Sequence, residues 1–257
     1  MSNLALVGRQ VTYEQRSFWR NPASAFFTFV FPIMFLIILG SVFRTGTVQV
    51  SGRTVASNEY YIPTLVAFGI MGSCFTNIAI SMSIRRDTGV LKRLRGTPLP
   101  PWALMCGLIG SSVIISLILV GLTTAFGMLV YGVSAPRHIA ALALALATGA
   151  MCFCVLGLAM SALIPNADAA PAIVNVVFLP LVFISGTFFV VPTESFFTTI
   201  ARLFPVRHFT DAVLAGFDPA ANQGQGLAGM DLLVVAVWGL AGILVTVRWF
   251  RWEPVRH

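Results

Sequence analysis

The stretch SSVIISLILVGLTTAFGMLV, residues 111–130, contains twenty residues and no charged side chain. An α-helix rises 1.5 Å per residue, so about 20 apolar residues cross the ~30 Å hydrocarbon core of a bilayer. Five other runs of similar length have no charge near their middle, where one costs about 2.5–3.5 kcal/mol on insertion. The sequence therefore predicts six transmembrane helices, at 23–43, 60–83, 102–131, 139–163, 170–191 and 230–250.

Composition supports an all-α polytopic membrane protein. Of the 257 residues, 57% are hydrophobic, and the mean hydropathy of +0.88 is above that of soluble domains. A transmembrane barrel would need ~10-residue segments of alternating polarity, which solid runs such as FFTFVFPIMFLIILG, residues 26–40, do not show. A cleaved signal peptide is not expected, because the first apolar run follows a polar segment. We expect two parts: an amphipathic interfacial helix over 1–22 and a six-helix domain over 23–257.

The distribution of charge predicts the orientation. With six spans, both termini and the 84–101 loop share one side of the membrane, while a segment over 192–229 lies on the other. The first side holds eleven basic and four acidic side chains, and the second holds five of each. Basic residues accumulate in cytoplasmic loops, so we expect both termini inside. This asymmetry accounts for the net charge of +7 without binding to nucleic acid.

Residues 3–20 have the pattern of an amphipathic helix. Leu4, Val7, Val11 and Phe18 recur at helical spacing. The remaining surface is predicted to carry Arg9, Gln10, Glu14, Arg16 and Arg20. Such a helix lies in the membrane plane and contacts lipid, whereas the alternative is a frayed tail.

The most charged stretch is SIRRDTGVLKRLRGTPLP, residues 83–100. Val90, Leu91 and Leu94 form a short apolar stripe, and Gly96 with the following prolines ends the helix. Anchoring to anionic lipid is one interpretation, at about 1 kcal/mol per basic residue.

The stretch Gly89-Val90-Leu91-Lys92-Arg93-Leu94-Arg95-Gly96-Thr97-Pro98-Leu99, between the second and third of six spans, resembles the first cytoplasmic loop of type-2 ABC exporter membrane subunits, in particular the drug-resistance branch. The amphipathic leader and the connection LFPVRHFTDAVLAGFDP, residues 203–219, are also similar to that family. The resemblance covers essentially the whole chain. It implies a location in a bacterial inner membrane.

The resemblance further implies that the loop is a coupling helix held in the cleft of a separate ATPase subunit. The coupling residues would be Arg85, Arg86, Asp87, Gly89, Val90, Leu91, Lys92, Arg93, Leu94, Arg95, Thr97 and Pro98. Leu91 and Leu94 would be buried in the partner, with Arg86, Lys92, Arg93 and Arg95 around them.

The chain itself is not expected to be an enzyme or to bind a cofactor. Phosphate binding by a P-loop requires a lysine after a glycine, and the single lysine, Lys92, follows Leu91. ATP and Mg²⁺ would be bound by two copies of the partner ATPase. A second copy of this chain, or a homologous permease, would complete the transporter, with the first and fifth spans at the seam.

Six polar and aromatic side chains in the spans are candidates for a substrate path: Asn77, Thr123, Asn175, Phe178, Ser185 and Phe188. Hydrogen bonding between helices is the competing role for the polar ones. The set favours apolar or amphipathic cargo, a drug-like compound or lipid, with polysaccharide or glycolipid export as the alternative. The four cysteines lie in spans without nearby histidine, so no metal site is expected.

Two other functional classes are alternatives to an ABC transporter. An ion-driven carrier requires charged residues near the membrane midplane and an internal repeat, and neither is evident. An intramembrane protease based on Ser185 would need a histidine in another span. His208 and Asp211, three residues apart, are expected to form a structural pair.

Overall fold

The computed structural model describes residues 3–42, 46–50, 53–96, 99–188, 196–218 and 226–250. Within these residues the regular elements are helices apart from one β-hairpin, which confirms the all-α membrane fold. The helices are α1 Asn3–Trp19, α2 Pro22–Val42, α3 Ser57–Met71, α4 Asn77–Asp87, α5 Val90–Arg95, α6 Pro101–Tyr131, α7 Ile139–Leu163, α8 Ala170–Ile184, α9 Phe196–Ala201, α10 Pro205–Phe217 and α11 Gly229–Trp249. The hairpin pairs β1 Thr47–Val50 with β2 Arg53–Ala56, antiparallel.

The centre of the bundle is the helix α3–α4, which runs unbroken from Ser57 to Asp87 through a π-helical turn at Gly72–Thr76. Of its most apolar 18-residue window, 72% is buried, compared with 17% for α2 and for α11. At the wide turn, Ser73 and Cys74 both bond the Ser116 hydroxyl of α6, at 2.7 and 3.2 Å. The central helix is thus packed on several sides, while α2 and α11 expose most of their apolar surface.

The two ends of the bundle carry different elements. One end, which we call the α5 end, contains α1, α5, the end of α7 and the start of α8. The Asp87 carboxylate at the end of α4 accepts a 2.8 Å hydrogen bond there from the Ala167 amide, in the turn between α7 and α8. The other end, which we call the hairpin end, contains β1–β2 and the connection between α6 and α7. The end of α10 also lies there, because the Gly216 carbonyl accepts a hydrogen bond from the His138 amide of that connection. Helices α7 and α11 run in the same direction, so the last turn of α11 lies beside the end of α7. It is therefore at the α5 end, as α1 is.

In the part of the chain that the structure describes, five helices are long and apolar enough to cross a membrane. They correspond to five of the six expected spans, and the chain is a multi-pass membrane protein. The expected fifth span, over 170–191, is different: α8 is a 15-residue helix that ends at Ile184. It ends there because Gly186 has a left-handed backbone, with φ of 87°, that cannot continue a helix. The Gly186 carbonyl then accepts a 2.5 Å hydrogen bond from the Tyr60 hydroxyl.

The predicted pairing of His208 with Asp211 is wrong. Asp211 is bonded by the Arg207 guanidinium at 2.8 Å, one turn away on α10. His208 instead points towards α11, with its Nδ1 2.6 Å from the Asp231 carboxylate. Its Nε2 lies 2.8 Å from the Arg202 carbonyl oxygen. Both ring nitrogens therefore face acceptors, which only the doubly protonated imidazolium satisfies.

This geometry predicts a pH-dependent stability. The hydrogen bond to Asp231 raises the pKa of His208 above its ordinary value, with further help from the Arg202 carbonyl and against the effect of burial. A raised pKa gives stabilisation that is complete below about pH 6.5 and is lost as the pH rises through the folded-state pKa. The gap in unfolding temperature between wild type and His208→Gln should therefore be largest at pH 6 and shrink towards pH 9. A gap that stayed constant across this range would contradict the assignment.

Candidate functional site

The candidate site is the junction between α4 and α5, where the most charged stretch of the sequence lies. Helix α4 continues to Asp87, so Arg85, Arg86 and Asp87 belong to the end of the central helix and not to the short one that follows. Gly89, with φ of 72°, interrupts the right-handed helical backbone, and α5 begins at Val90. The coupling residues, expected in one helix, thus fall on two helices joined at a left-handed glycine.

Arg85 connects the central helix to α1. Its two terminal nitrogens donate to the two oxygens of Glu14, at 2.7 and 2.5 Å. The Glu14 side chain is only 3% exposed, and it also accepts a 2.9 Å bond from Gln10. The face of α1 that packs on the bundle therefore contains Glu14 between Val11 and Phe18, and the prediction that Glu14 lies on the polar surface is wrong.

Arg86 connects the same helix to the end of α7. Its side chain is 2% exposed, and its guanidinium donates to the carbonyl oxygens of Ser161, at 2.8 Å, and of Ile164. The last carbonyls of a helix have no partner within it and carry partial negative charge, so a buried cation there stabilises the helix end. The expectation that Arg86 surrounds a partner contact is wrong, because the side chain is held inside the chain.

Asp87 connects the central helix to α8. Its carboxylate accepts the Ala167 amide in the turn that precedes α8, and within that turn Asn166 accepts the Ala169 amide, also at 2.8 Å. Asp168 is exposed in the same turn. We call Arg85, Arg86 and Asp87 the clasp. These three consecutive residues attach the end of the central helix to α1, α7 and α8 respectively.

Helix α5 has one buried and one exposed side. Leu91 is completely buried within this chain, so it is not available to enter a partner, contrary to expectation. Leu94 is partly buried against the same core. Val90, Lys92 and Arg93 are exposed. The side chain of Arg95, and Thr97 and Pro98 altogether, lie outside the described part of the structure.

The candidate path residues separate into several places. Phe178, Phe188 and Ser185 are buried close together where α8 packs on the central helix. There Phe178 stacks on Phe68, at 5.9 Å between ring centroids, and Phe188 lies 5.1 Å from the same ring. The remaining three do not join them. Thr123 is buried and bonds the Leu119 carbonyl of its own helix, Asn175 is exposed on α8, and Asn77 faces a polar cleft beside α1.

Next to the aromatic cluster is an apolar cavity of about 210 Å³. It lies between α7, α8 and α11, beneath the turn from α9 to α10, and its lining includes Phe75, Phe178 and Trp238. The Trp238 indole N–H donates to the Leu203 carbonyl at 2.9 Å, which attaches that turn to α11. The cavity has no charged side chain among its lining residues.

The sequence model of the ABC-2 type transporter family matches residues 5–217, most of the chain. The chain belongs to the ABC-2 type transporter family. It is thus a membrane component of an ABC transporter, a family whose membrane subunits work with an ATPase subunit. No curated protein matches the sequence. The match extends from α1 to α10 and so includes the whole clasp, whereas α11 of this ABC-2 protein lies beyond it.

Sequence reasoning identified the charged junction of this ABC-2 protein but not the partners of its charges. The partner of Arg85 is 71 residues away in the chain, and those of Arg86 are 75 and 78 residues away. Two of those partners are backbone carbonyls, which leave no signal in side-chain identity. A useful signal was present in α1, where Glu14 falls on the stripe that Val7, Val11 and Phe18 define at helical spacing.

Proposed function

We propose that this chain is the permease subunit of an ATP-driven exporter in a bacterial inner membrane, and that α5 is its contact with the ATPase. The observation that supports this proposal is the difference in burial among the side chains at the junction between α4 and α5. Arg86 and Leu91 are buried within the chain, while Lys92 and Arg93 are exposed on the short helix beside them. A helix fixed on one side and basic on the other is suited to binding an acidic cleft.

The clasp supports transmission of movement from that contact. A displacement of α5 passes through the single turn at Thr88 and Gly89 to the end of the central helix. There the clasp distributes it over three elements by hydrogen bonds to α1, α7 and α8. Packed elements with two discrete arrangements transmit such shifts well, because cores do not deform continuously. ATP and Mg²⁺ would be bound and used entirely by the partner.

The cargo that fits best is apolar or amphipathic, a drug-like compound or a lipid. Two features support it: the aromatic cluster around Phe68 and Phe178, and the uncharged cavity beside it. A polysaccharide would require a hydrogen-bonding path, and Asn77, Thr123 and Asn175 do not form one. Glycan export is therefore the second candidate.

We further propose that two copies of this chain assemble with two ATPase subunits. The supporting observation is the large exposed apolar surface on α2 and α8, which includes Phe27, Val176 and Phe183 at 65%, 73% and 47% exposure. Two-fold assembly would cover such a surface with the same surface of a second copy.

The experiment that tests this proposal compares matched charge reversals. The tagged full chain is purified from its host in mild detergent, and the ATP-hydrolysing subunit that accompanies it is quantified by mass spectrometry. Lys92→Glu with Arg93→Glu should reduce its recovery at least tenfold, because like charges then face the cleft. The control is Arg16→Glu with Arg20→Glu, two exposed basic residues, the first on α1 and the second directly after it.

Equal recovery with both pairs of substitutions would place the ATPase contact elsewhere. The native mass of the wild-type preparation tests the stoichiometry at the same time. A single copy of this chain in an assembly active in transport would contradict the two-fold arrangement.

A further inference from the structure

A polar cleft of about 130 Å³ lies where α1 covers α4 and α6. Its lining includes the Arg85–Glu14 pair, together with Ser17, Asn77 and Ser112. Asn77 is ten residues before the end of α4, and Ser112 is eleven residues after the start of α6. At 1.5 Å per residue the cleft extends about 15 Å from the helix ends, into the depth occupied by lipid.

The cleft contains more hydrogen-bond donors than the chain uses. A guanidinium has five N–H donors, and Arg85 donates two of them to Glu14. Its other three have no acceptor among the described residues. Within that same part of the chain, the Asn77 carboxamide and the hydroxyls of Ser17 and Ser112 make no hydrogen bond either. Glu14, in contrast, already accepts three hydrogen bonds, from Gln10 and Arg85.

Polar groups without partners are costly at membrane depth, where no bulk water replaces the missing bonds. The unused hydrogen-bonding groups in the cleft are mainly N–H and O–H donors. A ligand that binds there should therefore carry several hydrogen-bond acceptors. The Arg85–Glu14 pair is neutral overall, which suits a singly charged acceptor group better than a dianion. The volume is several times the 10–15 Å³ or so that one water needs.

We propose that this cleft binds the phosphodiester headgroup of a membrane phospholipid at the α5 end, with α1 as its cover. Phosphate oxygens would accept from Arg85, Asn77 and Ser112, while the acyl chains remain in the surrounding bilayer. The site is separate from the apolar cavity and aromatic cluster, which are lined by different residues. The proposal does not depend on what the transporter carries or on how α5 binds its partner.

The test measures lipid binding to the full chain, purified in detergent and depleted of lipid, by native mass spectrometry. Three probes are titrated: dioleoylphosphatidylglycerol, dioleoylglycerol with the same acyl chains but no phosphate, and inorganic phosphate. We expect saturable binding of the phospholipid alone. Asn77→Leu should weaken it about tenfold, the effect of losing one hydrogen bond to a charged group. Ser112→Leu, which fills the cleft, should weaken it at least as much.

The matched control is Asn175→Leu, the same substitution at an exposed position on α8, which should leave phospholipid affinity unchanged. Equal binding of dioleoylglycerol would overturn the proposal, since the cleft would then not recognise phosphate. Inorganic phosphate that bound saturably and displaced the lipid would assign the cleft to a soluble anion. Equal affinities in all three variants would overturn the placement of the site. Far-UV circular dichroism of Asn77→Leu and Ser112→Leu verifies that both remain folded.

Discussion

Replacing Arg86 by methionine should lower the unfolding temperature of the purified chain by roughly 10 °C. The substitution keeps most of the side chain's length but removes the donor that serves the Ser161 and Ile164 carbonyls at the end of α7. Hydrogen bonds to charged groups contribute about 1.5–3 kcal/mol each. A loss of 1 kcal/mol moves the transition by about 2–4 °C in chains of 150–250 residues. Heating followed by size-exclusion chromatography with fluorescence detection gives the measurement.

The matched control for this prediction is Arg93→Met, the same change at an exposed position three residues into α5. It should move the transition by less than 2 °C, since isolated surface charges contribute little to stability. Arg86→Lys should fall between the two, because an ammonium group does not reproduce the planar fork that reaches two carbonyls. Similar transitions for Arg86→Met and Arg93→Met would show that the buried guanidinium does not hold α7.

Hydropathy predicted most of the bundle because membrane spans depend on local composition. The expected helix over 139–163 is α7, and that over 102–131 differs from α6 by one residue. The shortened α8 was not foreseen, since apolar residues continue past Ser185 and only the backbone of Gly186 ends the helix. The β-hairpin was not predicted either, although Val48, Val50 and Val55 alternate with polar residues on either side of Ser51-Gly52.

The site was harder to predict than the fold because it depends on long-range contacts. A run of charge between two spans has the same appearance in sequence whether it faces a partner, a lipid headgroup or the protein interior. The structure assigns Arg85, Arg86 and Asp87 to contacts within the chain and leaves Lys92 and Arg93 exposed. Position relative to the turn at Gly89 separates the two groups, and that turn was not recognised as a boundary.

The Arg85–Glu14 pair gives the second large expected effect, on the attachment of α1. Glu14→Arg should place two cations in a contact that is almost entirely buried, and removing one partner of such a pair costs about 3–5 kcal/mol. We expect α1 to leave α6, where Gln10 packs on Gly107, and ATP-driven transport to fall at least tenfold. The attachment is measured by cross-linking α1 to α6 through cysteines introduced at Val11 and Gly110, which lie in contact.

A charge swap separates this pair from a general effect of charge on α1. Arg85→Glu alone should release α1 as Glu14→Arg does, while the two substitutions together rebuild the contact with reversed polarity. The double variant should therefore recover a clear part of the cross-linking yield, a coupling of about 0.5–3 kcal/mol between contacting residues. Arg16→Glu, on the exposed side of α1, controls for the change in net charge and should leave the yield unchanged. A double variant no better than either single one would mean that α1 is held by its apolar contacts with α6. The clasp would then reach only α7 and α8.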